Sequence, residues 1–151
     1  MSKDDVDFAM DDPFATIGFS LKLAQQALRT HMDAALQQIG LTTPQYAVLT
    51  FLDVEPGASN AALARRAFVT PQTMQGILVA LERAGLISRT PHPEHGRVQT
   101  TELTSKGCEA LVSASGIVSG VEARLREAAA PLDPNEVAAL LQRLAQAVKQ
   151  E

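Results

Sequence analysis

Apolar residues recur along this chain at intervals of three, four or seven, the spacing that lines one face of a helix. Phe14, Ile17, Leu21, Ala24, Leu28, Ala35 and Ile39 form one such stripe, which predicts a continuous helix closing at Gly40. At 1.5 Å per residue it would run for roughly 39 Å, more than a small domain covers, so part of the stripe is expected to meet a second chain. LTTPQYAVLTFL reads as a second helix, with Thr43 as N-cap, Pro44 at the first helical position and Val48, Leu49 and Leu52 facing inward. EPGAS ends it.

The centre of the chain changes rhythm. Ser59 can cap a short third helix, SNAALARRAF, with Leu63 and Ala67 on one face and Arg65 and Arg66 pointing away. FVT is a turn, after which Thr70 and Pro71 open a fourth helix with Met74, Ile77, Leu78 and Leu81 as its core stripe. Gln72, Thr73, Gln75 and Gly76 occupy the other face. Gly85 closes this helix, Leu86 to Ser88 begin a strand, and RTPHPEHGRVQTTELT makes a hairpin whose return strand starts at Arg97.

Thr104 then caps a long fifth helix with a heptad-like seam of Leu111, Ala114, Val118, Val121 and Leu125. Gly107, Gly116 and Gly120 weaken that helix and are expected where it packs closely. APLDPNE interrupts it, Asp133 and Glu136 suggest a capping box, and Val137, Leu140, Leu141, Leu144 and Val148 line a last helix. Short helix, turn, helix, strand, hairpin, strand is the order of a winged helix-turn-helix. The expected fold is therefore mainly α, with a small β-hairpin wing. Residues 1–40 and 107–151 would form a helical dimerisation region and residues 41–106 a DNA-binding winged helix, within a single domain spanning 1–151.

Charge sharpens this picture. The formal net charge of -4 argues against nucleic acid when taken alone, yet residues 61–106 carry 6 basic and 3 acidic side chains. Between Glu55 and Glu82 there is no carboxylate, while Arg65 and Arg66 fall inside the gap, as a surface facing phosphates requires. A helix entering the major groove needs donors and acceptors near its N-terminus. Gln72 and Gln75 can each bond adenine twice, and Thr73 offers a hydroxyl or a methyl.

The run SNAALARRAFVTPQTMQGILVALERAGLISR, then a hairpin and RVQTTELTSKG, resembles the multiple antibiotic resistance regulator (MarR) family of dimeric winged helix-turn-helix transcription factors. The marks that carry the resemblance are LARR, LERAGLISR and LTSKG, in that order, and it covers nearly the whole chain. It implies a recognition helix over Pro71 to Ala84, with Thr70, Gln72, Thr73 and Gln75 as DNA contacts. It also implies a wing whose Asp-x-Arg arginine enters the minor groove; Arg97 takes that place, and His95 stands where the aspartate is expected. Histidine lacks the carboxylate that would hold the arginine, a role left open to Glu94. Arg65, Arg66, Arg89 and Lys106 are candidate phosphate contacts. His31 and Tyr46 fall where the resemblance places a pocket for a small lipophilic or phenolic effector.

His92 and His95 with Glu94 could ligate zinc or nickel, but an exposed Pro-stiffened turn lacks the supporting shell, and no metal or other cofactor is expected. Cys108, the single cysteine, would serve thiol sensing only with an intermolecular partner and is expected as a small buried hydrophobe. A metal- or thiol-responsive regulator and a winged-helix docking module without DNA binding remain the alternatives. Neither a Gly-rich phosphate loop nor G-x-S-x-G occurs, so no enzyme is expected. The acidic start MSKDDVDFAMDD differs from a secretory signal, and no apolar run reaches the roughly 18 residues of a membrane span. The expectation is a cytoplasmic homodimeric repressor that reads a pseudo-palindrome in double-stranded DNA and is released by a small-molecule effector, with no membrane partner.

Overall fold

A computed structural model describes residues 12–149; the acidic segment 1–11 and residues 150–151, with the outer limits of the expected domain, lie outside the described residues. The first apolar stripe is not one helix. A 3-10 turn, Pro13–Ala15, precedes α1, Ile17–Gln37, and Thr16 between them is extended (φ -80, ψ 150) with its side chain accepting a bond from the Phe19 amide. That cap stops the helix, so its 21 residues span roughly 32 Å. Only Met32 and Leu36 of α1 are buried, because α2 and α5 cover just its C-terminal part; Phe14, Ile17, Leu28 and Ile39 stay exposed.

The second helix, α2, Thr43–Val54, is capped one residue earlier than its sequence suggests. Thr42 Oγ1 accepts from the Gln45 amide and Gln45 Oε1 accepts from the Thr42 amide, a reciprocal box that Thr43 cannot form. Thr43 instead donates its hydroxyl to Asp33 Oδ1 of α1 at 2.5 Å. Val48, Leu49 and Leu52 are buried as expected. A two-residue strand β1, Ala58–Ser59, too short to show any alternation, leads into α3, Asn60–Ala67, and α4, Pro71–Arg83. Ser59 and Thr70 cap the two helices, and Met74, Leu78 and Leu81 seat α4 on the core.

The wing strands β2, Ile87–Pro91, and β3, Gln99–Leu103, pair antiparallel, with Ile87 opposite Leu103 and Pro91 opposite Gln99. β1 adds to the far edge of β3, giving the order β1-β3-β2. The return strand starts at Gln99 rather than Arg97, because His92 donates to the Val98 carbonyl and Val98 to the His95 carbonyl, closing residues 92–98 as a tip. Among the described residues Thr101, at the centre of β3, is the one buried polar side chain.

α5, Ser105–Ala129, is capped by Thr104, which accepts from the Gly107 amide and donates to the Gly85 carbonyl at 2.6 Å. A Cβ at Gly107 would lie 2.0 Å from the Leu86 carbonyl oxygen, so this glycine lets the start of α5 abut the chain entering the wing. Gly116 and Gly120 have open space beside them, and the close packing expected of all three glycines holds within the chain at Gly107 alone. Cys108 is exposed, a correction to its expected burial: Gly107 takes the inward position, and the next residue is turned about 100° around the helix. α6, Pro134–Ala147, is capped by Asp133, which accepts from the Asn135 amide; Glu136 completes no box. No residue of α6 is fully buried: Val137 and Leu144 are half-buried where the helix meets α5, while Leu140 and Leu141 stay exposed. Among the described residues no helix is long and apolar enough to cross a membrane.

Candidate nucleic-acid interface

The N-terminal end of α4 stands clear of the core, and its cap organises the side chains there. Thr70 Oγ1 accepts from the Thr73 amide at 3.1 Å and donates to Thr73 Oγ1 at 3.0 Å. The Thr73 hydroxyl hydrogen is thereby left to point outward. Gln72 is exposed and makes no hydrogen bond among the described residues, so both ends of its amide are available. Gln75 differs: its Oε1 accepts from Asn60 Nδ2 and from Arg89 Nη1, each at 3.2 Å. With its acceptor occupied twice, Gln75 presents its NH2 group as a donor, whereas a two-bond contact to adenine needs both.

The expected basic residues divide into two sets. Arg89 on β2 has a side chain only 13% exposed and bonds Glu82 of α4 through Nε and Nη2. The Glu82 carboxyl is held below its ordinary pKa chiefly by the hydrogen bond from Arg89, which outweighs the opposing effect of desolvation; the Arg89 charge lowers it further. Arg66 pairs with Glu55 at 2.5 Å and lies 5.9 Å from the centre of the Phe51 ring. Arg65 and Arg97 are exposed and form no ion pair among the described residues. Lys106 donates to the Ala84 carbonyl at 2.9 Å, binding the C-terminal end of α4. Side-chain geometry thus separates cations that the residue types alone made equivalent.

At the wing tip His92 has a structural task. Its Nδ1 accepts from the amides of Glu94 at 3.1 Å and His95 at 3.2 Å, much as an Asx side chain closes a turn. The His92 and His95 rings lie 5.2 Å apart, and no group of three metal-ligating residues forms among the described residues. Glu94 does not take the missing aspartate's place: it makes no bond to Arg97.

Behind this surface lies a cleft of about 660 Å³ between α1, α2, α5 and the α3–α4 turn. Leu28, Met32, Tyr46 and Val118 give it apolar walls, and Arg29 and Glu122 are its charged residues. Arg29 is 3.8 Å from Asp33, and Glu122 is bonded by Arg126 at 3.0 Å. Tyr46 is among the residues that line this cleft. His31 does not line the cleft; it turns to Arg124 of α5, with Nε2 3.3 Å from Nη1. Arg29, Asn60 and Phe68 were missed in the sequence, and only Phe68 carried a signal, a large side chain in a turn that often contains glycine.

Residues 39–98 match the model of the MarR family. The HTH-type transcriptional repressor Rv2887 of Mycobacterium tuberculosis is 38% identical over 111 residues, covering 74% of this chain and 80% of that protein. The fold is similar to that of the transcriptional repressor CouR bound to a 23-mer DNA duplex, at a TM-score of 0.80 and 31% identity over 92% of this chain and 96% of that one. Rv2887 in complex with salicylic acid superposes at a TM-score of 0.65 with 34% identity, over 90% of this chain and 97% of that one. Winged-helix order, exposed recognition-helix face and these likenesses agree: the chain belongs to the MarR family of HTH-type transcriptional regulators.

Proposed function

We propose that this regulator is a cytoplasmic homodimeric repressor that reads a pseudo-palindromic operator and is released by a small aromatic acid. The observation that carries the reading is α4, seated on the core by Met74, Leu78 and Leu81 while Gln72 and Thr73 face outward at its capped end. Gln72 is the principal base reader, Thr73 and Thr70 set the helix end against the duplex, and Gln75 donates from its tethered amide. Arg65 and Arg97 meet phosphate and minor groove directly. Arg66 and Arg89 contribute while sharing their charge with Glu55 and Glu82.

Residues 41–106 act as the DNA-binding part, and residues 1–40 and 107–151 as the dimerisation part. Exposed Ile17 and Leu23 on α1, Leu125 on α5 and Leu140 and Leu141 on α6 support a helical interface between two copies. The apolar cleft with one arginine supports a small, flat, anionic effector, and Tyr46 contacts it; the salicylic acid complex of Rv2887 points to the same class.

Selection of bound duplexes from a random pool tests the reading. Enriched sequences should show half-sites one turn, roughly 10 base pairs, apart, and salicylate should release the best of them. No enrichment at low salt from a stable dimer would instead select a docking module without DNA binding, the reading that the net charge of -4 favours.

A further inference from the structure

Phe68 ends α3 in the left-handed region, at φ 56 and ψ 38, and is the one non-glycine residue with positive φ among the described residues. That conformation is sterically unfavourable for a large side chain. Burial does not offset it, since the residue is 84% exposed. The conformation is nevertheless fixed by the chain: the Phe68 amide bonds back to Arg65 and the Val69 amide to Ala64, which force the tight turn into α4. Two residues later Thr70 caps the recognition helix. Strained residues of this kind concentrate at switch and ligand sites.

The side chain has a definite setting. Phe68 lines the apolar cleft together with the α1 residues Leu28 and Arg29, and Lys149 Nζ lies 5.6 Å from its ring centre. Among the described residues Arg29 is the only basic one of the lining, and its partner Asp33 is 3.8 Å away with both side chains well exposed. A carboxylate entering the cleft can therefore draw Arg29 from Asp33 at small cost.

We propose that Phe68 transmits occupancy of the cleft to the recognition helix: an aromatic acid is held by Arg29 through its carboxylate and packs its ring on Phe68. The strained turn then has two arrangements, left-handed in the DNA-binding form and relaxed in the liganded form. Leaving the left-handed region redirects the chain into Thr70 and moves the N-terminal end of α4. The ligand shifts the balance because it contacts Phe68 differently in the two arrangements. This proposal rests on the ligand-release reading above.

The test uses the full chain, its selected operator and salicylate as probe. Phe68→Asn removes the ring but accepts the left-handed backbone, and Phe68→Tyr keeps the ring. Calorimetry measures salicylate binding, sedimentation the dimer, and an operator-binding assay the salicylate concentration giving half-release. Expected for Phe68→Asn are an intact dimer, operator affinity within about threefold of the parent and half-release needing at least about tenfold more salicylate, while Phe68→Tyr follows the parent. Half-release of Phe68→Asn at the parent's concentration removes Phe68 and leaves the ligand reading standing. Loss of the dimer in Phe68→Asn also overturns the proposal, making Phe68 an interface residue. A parent that neither binds nor responds to salicylate overturns both.

Discussion

Arg89 on the first wing strand grips Glu82, seven residues earlier on the recognition helix, through Nε at 3.3 Å and Nη2 at 3.2 Å. Its remaining Nη1 reaches Gln75, about two turns nearer the N-terminal end of α4. One guanidinium therefore ties the wing to two levels of the recognition helix. Wing and helix are positioned as a unit, and the tie uses charge that would otherwise be offered to phosphate.

Removing that tie should loosen both elements. Arg89→Ala is expected to lower operator affinity by roughly three- to tenfold, more than loss of one solvated phosphate contact would, and to lower the melting temperature. Glu82 gives the pH signature. Its folded carboxyl titrates below the ordinary 4.5, so its stabilising contribution is complete above that value and is lost as pH falls through the depressed one. The melting temperature of the parent minus that of Glu82→Gln should be positive and constant from pH 7 to about 5, then shrink on further acidification. A difference that grows towards low pH would refute the assignment.

The two glutamines should separate experimentally. Gln72 makes no hydrogen bond among the described residues, so Gln72→Ala should cost about 1–3 kcal/mol of discrimination at one base pair, with little change in binding to unrelated duplex. Gln75→Ala removes the proposed base contact and also the seat of Arg89 and Asn60. It should therefore weaken binding to all sequences. Affinity for matched and singly mismatched operators measures the difference; equal behaviour of the two variants would contradict it.

At the wing tip, His92→Ala withdraws the acceptor shared by the Glu94 and His95 amides. Arg97, which forms no ion pair among the described residues, then loses its fixed platform. Arg97→Ala should weaken binding on every sequence and reduce the salt slope by about 1. His92→Ala should produce part of that loss, His92→Asn should restore it by closing the turn in the same way, and the double variant should be no worse than Arg97→Ala. Salt titrations of the four proteins decide the matter.

These differences mark what a sequence reveals. The buried stripes of α2 and α4 follow helical periodicity, and the caps at Ser59, Thr70 and Thr104 follow residue type, so both were legible. The division of Arg65 and Arg97 from Arg66 and Arg89 was not, because Glu55 and Glu82 meet their arginines only after folding. His92 misled for a related reason: its residue type suggests a ligand, whereas backbone geometry makes it a turn acceptor. The 3-10 break at Thr16 was hidden because an apolar stripe continues across it.

Gly107 offers a stability test independent of DNA. A methyl there would lie 2.0 Å from the Leu86 carbonyl oxygen, a backbone atom with no rotamer to yield. Gly107→Ala should therefore destabilise by about 2 kcal/mol despite the better helix propensity of alanine, lowering the melting temperature by roughly 4–8 °C. Gly116→Ala, with open space in the single chain, should leave the monomer's stability unchanged or raised. Any loss for Gly116→Ala that depends on protein concentration would place that glycine in the dimer contact.

The apolar stripe of α6 makes the strongest case for a second chain. Leu140 and Leu141 remain 44% and 46% exposed, and no residue of α6 is buried, so the fold of one copy does not depend on them. Burying two such side chains contributes about 1.5–3 kcal/mol each, and a carboxylate in their place must be desolvated as well. Leu140→Asp with Leu141→Asp should therefore raise the dimer dissociation constant at least about 100-fold while the far-ultraviolet circular dichroism stays that of the parent. Operator affinity should fall with it, because each half-site would then be held by one winged helix without the effective concentration supplied by its neighbour. Sedimentation equilibrium and operator titration across protein concentration measure both. A variant that dimerises as the parent does would exclude this face of α6 from the interface and leave α1 and α5 to form it.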